Sequence, residues 1–468
     1  MKYLHNEPEG SHNYWLDHRL VPEVRAMLAA MSSRMPIGGV CARYQQLLDV
    51  VESEERLTEY PLHPRVQKFF DDFVGQYGHS SILELSGEPC VFSEQVSYLT
   101  AWLLFDSPLC SGQEFSTRAV QHKNWPMAQE CYPTQGSILS CCPGQHTHDP
   151  HPMLKQIHDG WLEIYEAEVA WWTEHLSVPE NRQALGIADK EAFRPALDRA
   201  RWALPGTIAT GCAHTSNLRE RARVLSVGQA FSAGSGAGAE GVWSNLHQTY
   251  KAALPGMAQY GLREAVYGET TAQVPYHLSP AQFLAPEIDA LSQQQVKLDI
   301  SYSRTPSTHL PVRESSTSYA DPIYNQIARV AVRIDCSLAV ARDWHRHRTL
   351  YPFTLYLRLN QDAGLQIDSH YQPMSDLGRR QVSRMLDLST AVYNEFQEAG
   401  QFALAPLCLP LGAAVRLHGA GGLRDVLYTL ELRSQGGGAC FEYKEQAQAG
   451  LNLLRGKLTS NIVAALKI

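Results

Sequence analysis

Hydrophobic positions recur along the chain with two different periods. Trp15, Leu20, Val24 and Leu28 fall on one face of a helix, so helical structure is expected near the start of the chain. Between Arg329 and Cys336, apolar residues alternate with polar ones, and this period of two predicts a strand. The spacing then becomes helical, so the strand is expected to lead directly into a helix.

The same order of strand and helix occurs earlier, which predicts an internal repeat. Residues 86–105 also predict a short strand followed by a helix. Further along each copy, a Leu-Pro pair precedes an arginine by the same number of residues. The matched positions are Leu204, Pro205 and Arg219 in the first copy and Leu409, Pro410 and Arg424 in the second. We therefore predict an α/β (α+β) protein of two related domains, 1–270 and 271–468, each a small sheet flanked by helices.

The first copy is longer, and its additional residues are expected to form an insert at about 129–160. This insert is rich in cysteine and histidine, and the alternatives are a zinc site and a buried or capping loop. Its spacing is not that of a zinc finger, and adjacent cysteines rarely bind one ion, so we predict no metal site. The residues are Cys131, Cys141, Cys142, His146, His148 and His151.

Composition and charge narrow the functional classes. Hydrophobic residues make up 44% of the 468 positions and charged residues 19%, as in a soluble globular protein with a sizeable core. The formal net charge of −8 argues against a nucleic acid polymer as the partner. No apolar run is long enough to suggest a membrane span. Ten irregularly spaced cysteines favour reduced thiols and a cytoplasmic protein.

A basic run lies at the predicted end of the second copy's helix. Arg346, His347 and Arg348 are consecutive, so they cannot all lie on one helix face. Where a helix ends, guanidinium groups can open towards phosphate or carboxylate oxygens. The alternative is a solvated basic helix end that complements the helix dipole. Taken alone, the run leaves both interpretations open.

The surrounding sequence resembles the signature of flavin-dependent thymidylate synthases. In that family, an Arg-His-Arg run is followed by a Glu-x-Ser-x-Arg segment. The second copy has the Arg-His-Arg run at 346–348, but Tyr356 stands at the serine position. The first copy has Asp106 to Pro108 in place of the run and keeps the second segment. The retained residues are Ser111, Glu114, Ser116 and Arg118.

Three further segments carry the resemblance. The first copy keeps a segment at 78–84 similar to the family's Gly-His-x-Ser-x-x-Glu, an arginine before its Leu-Pro pair, and an Asn-x-Arg helix start. The second copy keeps a later arginine, Arg433, at a position where the first copy has Gly228. The first-copy residues are Ser81, Arg201, Asn217 and Arg219.

The resemblance implies a fold of two thymidylate synthase-complementing-protein-like domains and an FAD-dependent methyltransferase. The enzyme would transfer a one-carbon unit to C5 of a pyrimidine nucleotide, converting dUMP to dTMP, with methylenetetrahydrofolate and NADPH as co-substrates. The resemblance also implies sites assembled from more than one protomer. We therefore expect the surviving residues of the two copies to complete one site, and the fused chain to form a homodimer.

The resemblance also assigns roles to residues. Cofactor-binding residues would be Ser81, Asn217, Arg219, Arg346, His347 and Arg348. Substrate-binding residues would be Glu114, Ser116, Arg118, Arg201, Asp343 and Arg433. Arg433 and Ser116 would act in catalysis, with Arg433 polarising a carbonyl oxygen of the base.

One departure from the family keeps two alternatives open. Asp343 stands where the family commonly has a glutamine near the nucleotide, and an acid there would favour a ring edge that carries an amino group. The first alternative is a flavoenzyme that uses a different nucleotide or donor in a specialised pathway. The second is a non-catalytic nucleotide- or flavin-binding protein.

Three segments are predicted to be irregular. Residues 111–114 are expected to form a turn that presents backbone N–H groups to phosphate. The glycine-rich residues 231–241 are predicted to form a linker. Residues 419–422 are expected either to let the chain approach the flavin closely or to form a helix-entry loop.

Overall fold

A computed structural model describes most of the chain as two compact units. It describes residues 1–468 except 7, 9–10, 34–38, 77–79, 88, 108, 119–121, 123–124, 133–148, 188–191, 255–285, 289–295, 304–309, 315–319, 351–352, 360–363 and 436–439. Unit 1 comprises residues 1–280 and 373–410, and unit 2 comprises residues 281–372 and 411–468. The predicted junction near residue 270 lies outside the described residues, so that boundary stays a prediction.

Unit 1 is built on a five-stranded sheet. Its strands are β1 Leu4–Asn6, β2 Asn13–Leu16, β3 Cys90–Val96, β4 Cys110–Glu114 and β5 Thr210–Ser216. They pair antiparallel in the order β1-β2-β3-β5-β4. Every residue of β3 and β5 is buried, so helices must cover both faces of the sheet.

The helices of unit 1 pack partly on its sheet and partly on one another. They are α1 Pro22–Ser32, α2 Gly39–Leu48, α3 Pro64–Phe70, α4 Tyr98–Phe105, α5 Pro152–Ser177, α6 Pro179–Ala184, α7 Phe193–Ala200, α8 Leu218–Ser232, α9 Ala237–Ala253 and, numbered in chain order, α12 Asp376–Glu398. The first three share a hydrophobic core with Phe92 and Ala213. On the opposite face, Phe105 of α4 fills the space beside Gly112, and Tyr250 of α9 is hydrogen-bonded to His214 at 2.8 Å.

Unit 2 is built on a second five-stranded sheet. Its strands are β6 Pro286–Ile288, β7 Val296–Tyr302, β8 Ala328–Ser337, β9 Thr354–Leu359 and β10 Ala414–Gly422. Their order is β6-β9-β10-β8-β7, with β6 parallel to β9 and the other pairs antiparallel. Its helices are α10 Tyr324–Ile327, α11 Leu338–His345, α13 Leu423–Gln435, α14 Phe441–Lys457 and α15 Ser460–Leu466. The predicted change from strand to helix near residue 337 is confirmed.

The two sheets share one topology. Four strands run β2-β3-β5-β4 in unit 1, and β7-β8-β10-β9 in unit 2. In each unit, the second of these strands leads into a short helix, and the third leads into a pair of helices. This correspondence supports the internal repeat inferred from the sequence, and the mixed helix-and-sheet class is confirmed. Resemblance to a particular family does not follow from the topology alone.

A buried carboxylate fixes the strand–helix junction in each unit. In unit 1, Glu130 accepts hydrogen bonds from the backbone N and Oγ of Ser97, at 3.0 and 2.7 Å. In unit 2, Glu442 accepts the corresponding bonds from Ser337, at 2.8 and 2.7 Å. Each serine is also the N-cap of the helix that follows. The two copies therefore start this helix in the same way.

The two long helices α5 and α12 pack together within unit 1. Trp161 Nε1 donates to Ser389 Oγ at 3.0 Å. Glu168 accepts from the backbone N and Oγ of Ser375, at 2.8 and 2.7 Å. Gly160 lies close to Met385, so the helices approach closely where α5 has no side chain. These contacts make residues 373–410 an integral part of unit 1.

The segment predicted as a phosphate-facing turn is a strand. Residues 110–114 form β4 and pair with β5 over their whole length, because β4 satisfies the outer backbone edge of β5. The prediction of a turn at 111–114 was therefore wrong. Residues 419–422 likewise lie within β10, and an added Cβ at Gly419 would press against Phe353. They do not form a helix-entry loop.

The connection formed by the glycine-rich segment is much shorter than predicted. Helix α8 continues to Ser232 and α9 begins at Ala237, so only residues 233–236 connect them. Gly234 and Gly236 have φ angles of +76° and +95°, which other residues rarely adopt. The segment is therefore a tight turn between two helices, and the prediction of a linker over 231–241 was wrong.

The described cysteines are reduced, as the sequence predicts. Eight cysteines lie among the described residues and all are free thiols. Cys141, Cys142, His146 and His148 of the insert lie outside them, so the alternatives of a zinc site and a loop stay open there. Within the described part of the chain, no helix is long and apolar enough to cross a membrane.

Candidate functional site

The basic run of the second copy lies directly after α11. Ser337 Oγ accepts from Val340 N at 3.2 Å at the start of this helix, which ends at His345. Every residue of α11 is buried, whereas residues 346–348 are partly exposed. The predicted helix end is thus confirmed. Cationic groups are favoured at this position because the C-terminal end of a helix carries partial negative charge.

Arg433 joins this run through a hydrogen bond. Its Nε–H donates to Nε2 of His347 at 2.8 Å, from the last turn of α13. Burial lowers the pKa of His347 to about 3, and the positive charges of Arg433, Arg346 and Arg348 contribute to this shift. The imidazole is therefore neutral at pH 7 and accepts the bond. We call Arg346, His347, Arg348 and Arg433 the basic cluster.

An aromatic side chain of α14 supports the basic cluster. The Cζ atom of Arg433 lies 5.4 Å from the ring centroid of Tyr443, within the range of a cation–π contact. Trp344 packs on the same tyrosine at 4.5 Å between centroids and donates from Nε1 to Gln446 Oε1 at 3.2 Å. Sequence reasoning missed Tyr443 and Gln446. Their spacing of three residues, which places them on one helix face, was the only available indication.

Asp343 is paired with the basic cluster. Its Oδ1 lies 3.8 Å from Nη1 of Arg346, and the residue is only 8% exposed. Three guanidinium groups, one carboxylate and a neutral imidazole leave a net charge of two positive units. A group with this charge, partly open to solvent, favours an anionic ligand.

A separate ion pair is buried in the sheet of unit 2. Arg416 donates from Nε and Nη2 to the two carboxylate oxygens of Asp335, at 2.7 and 3.0 Å. Nη1 of Arg358 lies 3.6 Å from the same carboxylate. The three residues come from adjacent strands β8, β10 and β9. Arg358 therefore has a structural partner in this copy.

The Glu-x-Ser-x-Arg segment of the first copy follows directly from β4. Glu114 is buried at the end of the strand, and Ser116 N donates to Ser33 O at 2.9 Å. Arg118 N donates to Ser116 Oγ at 3.4 Å, and both side chains are partly exposed. The segment thus places the partly exposed Ser116 and Arg118 just beyond β4, the edge strand of the sheet of unit 1.

Two other predicted first-copy residues have structural partners. Arg201 is 1% exposed, and its Nε lies 3.8 Å from Oδ1 of Asp198. Asn217 is the N-cap of α8 and accepts from Glu220 N at 2.9 Å. The side chains of Ser81 and Arg219 lie outside the described part of the structure. Convergence of first-copy and second-copy residues on one ligand stays a prediction.

Comparison with known proteins gives no match. The chain matches no known protein family, and no curated protein is similar to it. No family is assigned. The function must therefore be argued from the geometry and chemistry of the site.

Unit 1 has no equivalent of the basic cluster at the matched positions. Gly228 stands where the second copy has Arg433, and a Cβ there would collide with the ring of Trp243, which is 2% exposed. Asp106 stands in the place of Arg346, and its carbonyl oxygen accepts from Arg223 Nη2 at 2.9 Å. A buried tryptophan therefore occupies the space that a longer side chain at position 228 would need.

Proposed function

We propose that the basic cluster binds an anionic nucleotide, and that the chain is an FAD-dependent enzyme that transfers a one-carbon unit to C5 of a pyrimidine nucleotide. The observation that carries this proposal is the bond from Arg433 to neutral His347, beside Arg346 and Arg348. The three guanidinium groups and the carboxylate of Asp343 lie around this uncharged acceptor. Guanidinium groups form charge-assisted hydrogen bonds with phosphate and carboxylate oxygens.

The residues of the basic cluster fit the diphosphate of FAD or the phosphate of a nucleotide. Guanidinium groups match phosphate oxygens with paired N–H donors. The net charge of two positive units balances an anion of this kind, and the partial exposure of residues 346–348 leaves access from solvent. When bound, FAD would supply the hydride for the reaction, after reduction by NADPH, with methylenetetrahydrofolate as the carbon donor.

Within this proposal, the chain's own residues position the pyrimidine nucleotide and polarise its ring. His347 accepts from Nε of Arg433 and so fixes the plane of the guanidinium. The two Nη atoms then carry the donors that can face a carbonyl oxygen of the pyrimidine. A cation held in advance near that oxygen stabilises negative charge that develops on the ring. This mechanism requires no nucleophilic side chain.

Two assays on the purified chain test the proposal. A visible absorption spectrum typical of bound flavin, either on purification or after addition of FAD, is expected. Tritium release from C5-labelled dUMP in the presence of methylenetetrahydrofolate and NADPH is the expected activity. Flavin binding without tritium release would overturn the reaction but keep the cofactor, and a chain that cannot bind FAD would overturn both.

The pairing of Asp343 with the basic cluster favours one second candidate. A buried carboxylate close to the ligand would accept a hydrogen bond from an amino group, as on cytosine, better than it would face a carbonyl. The second candidate is therefore a flavoenzyme that acts on an amino-substituted pyrimidine nucleotide. Protection of the chain from thermal unfolding by dCMP but not by dUMP would favour it.

A further inference from the structure

A second group of chemistry-bearing side chains lies in unit 2 and takes no part in the basic cluster. Asp368, His370 and Glu442 each offer one ligand atom, and these three atoms lie within 4.8 Å of one another. Ligand atoms that share one divalent ion at about 2.1 Å lie up to about 4.2 Å apart. A small side-chain rotation is therefore enough to bring the three onto a single ion.

The backbone holds Asp368 and His370 in a tight turn beside β10. Asp368 N donates to Gly412 O at 2.9 Å, and Tyr371 N donates to Asp368 O at 2.9 Å. Within the turn, Oδ1 of Asp368 lies 2.6 Å from Nδ1 of His370 and accepts from the His370 backbone N at 3.0 Å. These contacts fix the orientation of the imidazole ring relative to the Asp368 carboxylate.

Glu442 is held from the opposite side. It is fully buried in the first turn of α14, where Ser337 and Gln446 donate to its carboxylate. Each carboxylate oxygen has two lone pairs, so these bonds orient the group and still leave acceptor capacity. Ser337 and Gln446 would therefore act as the residues that aim this ligand.

The charges of the group are unbalanced. Asp368 is 3% exposed and Glu442 is fully buried, and neither lies within ion-pair distance of a lysine or arginine among the described residues. The other groups that face them are His370, the exposed Glu445 and the buried thiols of Cys336 and Cys440. Two buried carboxylates beside one imidazole are stabilised by additional positive charge.

We propose that Asp368, His370 and Glu442 bind one divalent transition-metal ion of the Mn²⁺ to Zn²⁺ class. One imidazole with two carboxylates and no thiolate in the ligand set is a donor set typical of these ions. Glu445 lies one turn further along α14, with Oε2 3.6 Å from Nε2 of His370, and can supply a fourth ligand. The ion would tie the turn at 368–371 to the start of α14, the helix that carries Tyr443.

Co²⁺ and Zn²⁺ titrations of the full chain, after treatment with a chelator, test this site. We expect one Co²⁺ per chain, seen as a visible d–d absorption band that Zn²⁺ displaces, and a higher melting temperature with Zn²⁺ than without it. His370→Ala should weaken binding at least about 10-fold, and Glu445→Gln should weaken it less. Asp299→Asn is the matched control, since Asp299 is an exposed acid of the same unit.

The outcome shows whether the three side chains bind a metal ion or only share protons. Absence of saturable binding, or Co²⁺ affinity unchanged in His370→Ala, would overturn the proposal. Glu442→Gln is not used as the deciding variant because Glu442 also holds Ser337. If His370→Ala fails to fold, His370→Gln takes its place, with circular dichroism to confirm the fold. FAD titration of the same variant serves as a separate readout, and it should match the wild type.

Discussion

At the scale of single residues, the hydrogen bond from Arg433 to His347 explains why a histidine stands between two arginines. A third cation at position 347 would repel Arg433 from its last-turn position on α13. The neutral imidazole instead offers a lone pair to Nε of the guanidinium. Its low pKa keeps it neutral across the physiological range. His347 therefore orients the charged guanidinium of Arg433 without adding a positive charge of its own.

The role of His347 can be tested by replacing its acceptor. His347→Leu should weaken dUMP binding by about 10- to 100-fold, because Arg433 loses a bond worth about 1.5–3 kcal/mol. His347→Gln keeps an acceptor and should restore most of the affinity. Isothermal titration calorimetry with dUMP measures both, with the exposed His18 as the control position in His18→Gln. Equal affinity in the leucine variant and the wild type would refute the positioning role.

The ion pair of Asp335 with Arg416 has a structural rather than a binding role. Asp335→Asn should lower the free energy of unfolding by about 3–5 kcal/mol, because it leaves a buried guanidinium without its counter-ion. Asp376→Asn removes an exposed pair with Arg379 and should cost less than about 1 kcal/mol. Urea denaturation compares the two. Similar small losses would show that the buried pair contributes nothing.

The stability of unit 1 should depend on pH through His158. Its Nδ1 lies 3.0 Å from Thr207 Oγ1, and burial lowers its pKa from 6.5 to about 4. Between these values the unfolded chain binds a proton that the folded chain does not. The stability that neutral His158 contributes is thus fully present above pH 6.5 and is lost as the pH falls towards 4.

The His158→Gln variant isolates this effect. Wild type should lose on the order of 3 kcal/mol more than the variant between pH 6.5 and pH 4. Denaturant titrations at a series of pH values measure the difference. Parallel curves for the two proteins over this interval would contradict the assignment.

Some site residues could be found from the sequence and others could not. The Arg-His-Arg run is contiguous, so its position at a helix end was predictable, as was the later Arg433 in the helix after the second Leu-Pro pair. Tyr443 and the group of Asp368, His370 and Glu442 depend on contacts between distant segments. Trp243 also could not be paired with Gly228, because helical spacing says nothing about which residues of two helices meet.

At the scale of helices and strands, the contact of α5 with α12 depends on the missing side chain at position 160. A Cβ added to Gly160 would lie 2.5 Å from Met385 Sδ. The colliding atoms are the flexible end of Met385, so Gly160→Ala should give up part of the roughly 1 kcal/mol that alanine gains over glycine in a helix. Gly456→Ala in α14 is the control, since nothing lies within 4 Å of an added Cβ there.

A second substitution shows whether the collision is the cause. Combined with Met385→Ala, Gly160→Ala should be more favourable than it is alone, so the two changes should be non-additive. Thermal unfolding of the single and double variants measures this coupling. Additive effects would mean that Met385 does not limit the gain at position 160.

The strand and the helix whose hydrophobic residues recur with a clear period were predicted correctly. Residues 328–345 combine a strict period of two with a capped helix, and both elements were found. The strand at 110–114 was missed because its residues are mostly small or polar, and only pairing with β5 makes it a strand. The four glycines of 234–241 suggested a linker, but two of them lie in α9.

At the scale of the whole molecule, the two units repeat one topology but differ in chemistry. Their sheets have corresponding strand orders, and a buried glutamate caps the same junction in both. At the matched positions, unit 2 carries the basic cluster, whereas unit 1 has Asp106 and Gly228 packed under Trp243. Both units therefore have the same order of strands and helices. At the matched positions, the basic cluster is present in unit 2 and not in unit 1.

Equilibrium titration of the full chain with FAD tests the central claim most directly. Saturable binding to the wild type is expected, with at least about 10-fold weaker binding in both Arg346→Ala and Arg348→Ala and unchanged binding in Arg455→Ala, an exposed arginine outside the cluster. Absence of FAD binding to the folded wild type, or equal affinity in all four proteins, would contradict the central claim.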